Sequence, residues 1–552
     1  MIGWAHPAWP CLAGAALAAV LPPPSRRAVV LAAPAVAALL AWALPDGARA
    51  GTIVLGEPLL WLRVDALGRA FALAFALLTG LGACYGLEGS RRLHVAALVA
   101  AAAALGIVLA GDWITLYVAW ETLAVASFVL ITDGKGPRAP AAALRYLLVH
   151  LAGGATLLVG IVAHRAVGGS AFVNPIPVDG TGLFLLLGFA VNAAVPPLHA
   201  WLTDAYPESS PAGSVFLSAF ATKAAVYALV RVFPGTEVLV WAGVIMALYG
   251  VVFAVIENDV RRLLAYHIVS QVGYMVVGAG LGSPLAVAGA VAHAFCHILY
   301  KGLLFMGAGA VVEATGRRRL TELGGLAGRL RPTLVLYMVG ALSISGAPLL
   351  NGFVSKSLVV AGAEEAGRWI VATLLTLASV GTFLSVALKL PVFAFGGPDR
   401  GVRAAPVPVH AHAAMAATAG FCVLLGVAPG LLYRLLPGTV SYQPYTADHV
   451  LGVLQLFAGT AVGFVLVEPR LRRKAYVTLD FDRAYRAFGG WVSGALGRTV
   501  ARGADALEAG ALGLATRSVT ALRRPAARPV GYAVLLVVVA LGLGLALFRG
   551  GR

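Results

Sequence analysis

The chain is short of charge. Asp, Glu, Lys and Arg make up 12% of its 552 residues, against about 25% in a soluble globular protein. With a mean hydropathy of +0.87, this is the composition of a polytopic membrane protein. Cysteine is scarce as well. Cys11, Cys84, Cys296 and Cys422 are scattered through apolar runs, with neither metal-ligand spacing nor a disulfide framework. There is no β pattern, no Gly-rich phosphate loop and no CxxC cluster. Nucleotide, haem and iron–sulfur binding are therefore not expected, nor any other cofactor or metal, and no catalytic nucleophile stands out. Acidic residues are fewer than basic ones, 24 against 41, for a net charge of +17. In a soluble protein that excess would suggest nucleic acid. Here basic cytoplasmic loops and anionic lipid account for it. Glycine and proline are plentiful, at 66 and 30, and supply close helix packing and helix breaks.

About sixteen apolar windows of ~20 residues read as spans. They fall at 6–22, 27–44, 66–86, 93–110, 112–132, 141–164, 183–203, 210–232, 238–257, 262–281, 284–312, 332–362, 367–396, 409–436, 450–468 and 530–548. The first has no basic residues ahead of it and Arg26–Arg27 behind it, so it reads as a retained span rather than a signal peptide. Arg91–Arg92, Lys135, Arg138, Arg261–Arg262, Arg317 to Arg319, Arg329, Arg331 and Arg470 to Lys474 recur in alternate loops. The other loops carry Asp46, Glu57, Asp112, Asp179, Glu237, Glu364 and Glu365. The positive-inside rule puts the N-terminus outside and the basic loops in the cytoplasm. An even span count puts the C-terminus outside too, against the terminal Arg549 and Arg552. Residues 481–522 are too polar to span. Phe488, Trp491, Leu496, Val500, Leu507 and Leu514 set against Arg498, Arg502 and Asp505 predict an amphipathic helix on the membrane surface. A linker is the alternative over its Gly-rich part at 489–497.

Ionisable residues inside a membrane are costly and read as functional. His293, His297 and Lys301 lie in AVAHAFCHILYKGLLFMGAGAVV, spaced i, i+4, i+8, which stacks them on one helix face. Histidine titrates near neutral pH, so such a ladder suits proton transfer. A purely hydrogen-bonding role for the two histidines leaves Lys301 unexplained. Glu121 is mid-span in DWITLYVAWETLAVASFVLI and must pair or be protonated. Lys223 is mid-span in FLSAFATKAAVYALV. Lys356 follows SGAPLLNGFVSK, where Gly346, Pro348 and Gly352 should break the helix. A second break is expected at Pro196–Pro197, beside His199. Broken helices expose backbone carbonyls at membrane depth, where ions or water pass. Lys389 is near a span end and reads as a snorkelling, structural lysine. His267 is a further accessory candidate, and Arg63 and Asp65, near an interface, are expected to pair. A file of titratable groups is what a proton path needs; structural ion pairs are the competing explanation.

VPPLHAWLTDAYPESSPAGSVFLSAFATKAAVYALVR, NDVRRLLAYHIVSQVGYMVVG, HAFCHILYKGLLFMGAG and SGAPLLNGFVSK occur in that order. Together they resemble the proton-conducting antiporter-like subunits, from about Leu62 to Leu436. That family includes membrane-arm subunits of respiratory complex I, membrane-bound hydrogenase subunits and the A-type and D-type subunits of Mrp sodium/proton antiporters. The resemblance implies an all-α membrane fold of about fourteen core helices with two inverted five-helix repeats. It matches Glu121, Lys223, His293, His297, Lys301 and Lys356 to the family's proton path. At Asn192 the family usually has a lysine that pairs with the glutamate, and asparagine cannot titrate. The implied division is an N-terminal part at 1–92, halves at 93–257 and 258–408 (the second running on to about 436), core helices at 409–468, an amphipathic segment at 469–529 and a last span at 530–552. The role of a D-type Mrp subunit in a hetero-oligomeric complex of the bacterial cytoplasmic (inner) membrane follows, handling protons, with Na+ as the candidate coupled ion. A complex I or hydrogenase subunit, a stand-alone transporter for an organic substrate and a non-transporting scaffold are the other readings.

Overall fold

The computed structural model describes residues 5–54, 56–471 and 480–481. The surface helix expected at 481–522, apart from Phe481, and the last span at 530–548 lie outside the described residues. The helices begin with α1 (Ala8–Val20), α2 (Pro23–Ala43), α3 (Ala66–Tyr85), α4 (Arg91–Leu109), α5 (Trp113–Thr132) and α6 (Ala139–Ala166). Next come α7 (Gly180–Ala193), α8 (Ala200–Ala205), α9 (Pro211–Ala219), α10 (Ala221–Val232), α11 (Glu237–Ile256), α12 (Val260–Leu281) and α13 (Pro284–Thr315). The series closes with α14 (Arg331–Ser345), α15 (Asn351–Glu365), α16 (Trp369–Thr382), α17 (Leu390–Ala394), α18 (Val409–Val427), α19 (Pro429–Tyr433) and α20 (Ala447–Leu471). Among the described residues, 12 spans are long and apolar enough to cross a membrane, counting α9–α10 and α16–α17 as single spans. The chain is a multi-pass membrane protein.

Helix starts follow from the loop residues. Asp65, Ser90, Asp112, Asp179, Ser210, Asp259 and Ser283 each accept a hydrogen bond from an amide in the first turn of the helix that follows. They satisfy donors the helix itself leaves free. The acidic loop residues Asp112 and Asp179 are therefore helix caps as well as charges.

The expectation of no β structure fails. Residues between α2 and α3 form an antiparallel hairpin of β1 (Arg49–Val54) and β2 (Glu57–Arg63). Both strands are apolar without strict alternation, so the period-two signal is missing, and Gly56 turns the chain at φ +85°. Leu60 N–H in β2 donates to Asp112 Oδ2 at 2.7 Å, fixing the hairpin on the start of α5.

The expected span at 332–362 is two helices, α14 and α15. Gly346 ends α14 in the left-handed conformation, at φ +87°. Gly352 does not break the helix as expected; it lies in the first turn of α15, where any Cβ would overlap the Ser343 carbonyl. The other expected break separates α7 from α8, and Trp201 Nε1 donates to the Val191 carbonyl across it, at 2.9 Å. A third discontinuity, at Phe220 between α9 and α10, has no proline or glycine to announce it.

The centre of the bundle is α12, wholly buried over its apolar stretch, with α13 and α9–α10 nearly so. Helix α20 exposes most of its apolar surface. The loops gather on two faces. On one, Ser90 Oγ donates to Asp133 (2.7 Å), Arg318 reaches Glu208 (3.2 Å), and Arg261 donates to the Ser209, Tyr206 and Ser210 carbonyls at 2.8, 3.1 and 3.1 Å. On the other, Arg231 clamps Asp65 at 2.6 and 2.7 Å and Arg165 meets Glu57 at 3.0 Å. Arg63 and Asp65 pair, as expected, at 3.5 Å.

Candidate functional site

Helix α13 runs unbroken for 32 residues and carries His293, His297 and Lys301, each with no exposed surface. The three are held differently. His293 is tied at both ring nitrogens: Nδ1 lies 3.1 Å from Ser355 Oγ on α15, and Nε2 lies 3.3 Å from Tyr300 Oη. Neither ring nitrogen of His297 has a hydrogen-bond partner, nor does Lys301 Nζ. Lys301 Nζ lies 5.7 Å from the Phe305 ring centre. The rings of His293 and His297 are 6.3 Å apart.

Lys223 is fully buried on α10. Its Nζ donates to the Ser218 carbonyl at 2.6 Å and to Thr222 Oγ1 at 3.1 Å. The discontinuity at Phe220 explains this, since a broken helix frees carbonyls that a cation can take. Lys356, in the second turn of α15, donates to Ser379 Oγ at 3.2 Å, and Tyr274 Oη lies 2.9 Å from the same hydroxyl. Lys356 Nζ also lies 5.1 Å from the Tyr274 ring centre, within cation–π range. Tyr274 in turn lies 5.5 Å from the His293 ring. His267 on α12 is buried and contacts Ser385 Oγ at 2.7 Å.

Electrostatic reach joins these side chains into one set. Lys223 acts on His293, His297 and Lys301; Lys356 acts on His293 and His267; Lys301 acts on His297 and His267. Five of the six expected path residues, Lys223, His293, His297, Lys301 and Lys356, are thus brought together around α13, and the accessory His267 joins them.

Glu121 stands apart. It is half-buried on α5, and its carboxylate fills the notch left by Gly154 on α6, where a Cβ would overlap it. Oε1 has no hydrogen-bond partner. Tyr117 and Tyr146 lie within its electrostatic reach. Asn192, in the last turn of α7, is buried with Oδ1 unpartnered. His199 is buried in the break after α7, its ring 4.7 Å from Tyr249.

Lys389 overturns an expectation. It does not snorkel; it is 4% exposed. Its Nζ donates to the carbonyls of Val255, at 2.6 Å, and Glu257. Those are orphan carbonyls at the end of α11, which a cation satisfies. The π-helical turn Phe383–Lys389 carries both Lys389 and the Ser385 that meets His267. The amino-acid sequence holds no signal for this turn, nor for Ser379, Tyr274 and Tyr300, because hydroxyl residues in apolar runs are common and carry no charge.

The family model described as NADH:quinone oxidoreductase/Mrp antiporter, TM, matches residues 110–385, half of the chain. The chain belongs to that family. The N-type subunit of NADH-quinone oxidoreductase from Desulforudis audaxviator is 35% identical over 339 residues, covering 57% of this chain and 68% of that one. The D-type subunit of the Na(+)/H(+) antiporter from Alkalihalophilus pseudofirmus is 32% identical over 317 residues, 53% of this chain and 64% of that one. Among solved structures, a chain of the Mrp complex from Dietzia superposes with a TM-score of 0.70 at 25% identity, over 84% of this chain and 98% of that one. A chain of respiratory complex I from Thermus thermophilus gives 0.66 at 26% identity, over 78% and 98%. The part of this antiporter-like chain that matches the family runs from the loop before Asp112 to Ser385. It contains Glu121, Asn192, His199, Lys223, His267, His293, His297, Lys301 and Lys356, and stops short of Lys389.

Proposed function

We propose that the chain is the proton-translocating membrane subunit of a multisubunit cation/proton antiporter, equivalent to the D-type subunit of the Mrp complexes. The observation that carries this is the buried set around α13, above all Lys301, whose ammonium group can hold or release a proton and is tied to no neighbour. Protons pass between Lys223, anchored at the α9–α10 break, and Lys356, anchored on Ser379, by way of His297, Lys301 and His293. Lys223 and Lys356, each held by hydrogen bonds, set the ends of the path; between them His293 is fixed, and the untied His297 and Lys301 move the charge. The halves at 93–257 and 258–408 each contain one of the two expected broken helices. The protein lies in the bacterial cytoplasmic membrane with its N-terminus outside and its Arg-rich loops in the cytoplasm. Its partners are the other membrane subunits of the complex, and Na+ is the cation exchanged.

A second reading has support of its own. The 35% identity to an N-type oxidoreductase subunit favours a place in the membrane arm of a complex I-like oxidoreductase, where other subunits would do the redox chemistry. Purification in mild detergent separates these readings. The proposal expects the chain to come out with other membrane subunits, and the complex to exchange Na+ for protons in liposomes. Co-purification with quinone-reducing subunits supports the second reading. A chain that runs alone, and alone exchanges cations for protons at full rate, contradicts both.

A further inference from the structure

The path described above leaves one buried titratable group unused. His150, on α6, is 1% exposed. Its ring stacks on Tyr146 with centres 3.8 Å apart and meets Trp201 edge-on at 4.4 Å. Its Nδ1 lies 2.9 Å from the Tyr146 carbonyl. A carbonyl only accepts, so Nδ1 carries a hydrogen and Nε2 is left to take up or give a proton. Nε2 has no hydrogen-bond partner.

The neighbours place that nitrogen usefully. His150 and Gly154 are one helical turn apart on the same face of α6, a rise of ~6 Å. Gly153 and Gly154 form a double notch. The side chain of Val191 from α7 packs on Gly153, and the Glu121 carboxylate from α5 sits on Gly154. Asn192 follows Val191 directly. His150, whose Nε2 has no partner, and Gly154, against which the partnerless Oε1 of Glu121 sits, therefore occupy successive turns of one face of α6. The other ionisable groups here are accounted for. Arg145 of α6 is paired with Asp204 at 2.6 Å, and Tyr146 and Tyr206 bring phenols rather than charges.

We propose that His150 exchanges protons with Glu121 and serves the first half in place of a titratable group at position 192. This rests on the proton-translocation reading above. The proton leaves Nε2 of the imidazolium and joins Oε1 of the carboxylate. An ion pair becomes a neutral imidazole beside a neutral carboxylic acid, and the reverse step restores it. The imidazole lies back over Tyr146 and the carboxylate sits at Gly154, so the two atoms are more than one turn apart and water between them carries the proton.

The test uses membrane vesicles holding the assembled complex, with the amount of chain checked in each. His150→Ala is expected to lower proton transport at least tenfold, since a lost acid–base group typically costs ~100-fold or more. Added imidazole should restore it, whereas pyrazole, a ring of the same shape but far weaker as a base, should not. His150→Gln, which keeps a polar side chain in the slot, should lose transport to the same extent. Full transport by either variant overturns the inference, and so does equal rescue by both rings, which would show a packing role. Lys301→Ala runs alongside. If Lys301→Ala stops transport and His150→Ala does not, only His150 is excluded; if Lys301→Ala is itself without effect, the underlying reading fails.

Discussion

His293 and Ser355 face each other across the contact of α13 and α15, with Nδ1 and Oγ 3.1 Å apart. Tyr300 holds the other nitrogen, so this ring is fixed, while the ring of His297 one turn on is tied at neither nitrogen. Ser355→Ala removes one of the two ties. Losing a hydrogen bond of about 1 kcal/mol should slow proton transport by about fivefold if ring orientation matters to the transfer. His297→Ala should do far more harm. Initial proton flux in vesicles measures both; a larger loss from Ser355→Ala than from His297→Ala would reverse the order expected.

Gly154→Ala should separate folding from function. The added Cβ overlaps the Glu121 carboxylate, which is the far end of a flexible side chain and can swing aside. The variant should accumulate in membranes at the normal level and transport poorly. A chain that fails to accumulate, or one that transports normally, contradicts this.

The motifs that define the family are contiguous in sequence, so the ladder on α13, the breaks before α8 and α15 and the burial of Lys223 and Lys356 are all legible there. Helical spacing alone fixes His293, His297 and Lys301 on one face. The rest depends on contacts between distant segments. Ser379 serves Lys356 only because α16 is laid beside α15. The break at Phe220 has no residue signature. Lys389 reads as free to snorkel because the carbonyls of Val255 and Glu257 that hold it are ~130 residues away in the chain, far beyond any local pattern. His150 carries no signal because a lone histidine at a helix position makes no pattern; the notch at Gly154 is what gives it a neighbour.

Asn192→Lys should be tolerated. Val191 packs on Gly153 and the Glu121 carboxylate sits on the adjacent Gly154, so the end of α7 meets α6 beside that carboxylate. A lysine there finds a carboxylate to pair with rather than a naked apolar site. The melting temperature in detergent should stay within about 1 °C, corresponding to ~1 kcal/mol in a chain of this size. A drop several times larger would show that the site has no room or no partner for the cation.

Arg261 is a different kind of residue. It is buried and donates to three carbonyls and to Ser209 Oγ in the segment after α8. Arg261→Ala leaves those acceptors without it and should cost about 3 kcal/mol or more. The exposed Arg317, on the same face, should cost under about 0.5 kcal/mol when replaced by alanine. Thermal unfolding of the purified complex compares the two; equal effects would mean that Arg261 contributes only charge.

Everything proposed for the second half turns on the untied Lys301 as its proton carrier. Lys301→Ala probes this without intermediaries, through proton flux in vesicles that contain the fully assembled complex. Normal assembly with no coupled proton flux is the expected outcome. Unchanged flux from the assembled variant would contradict it.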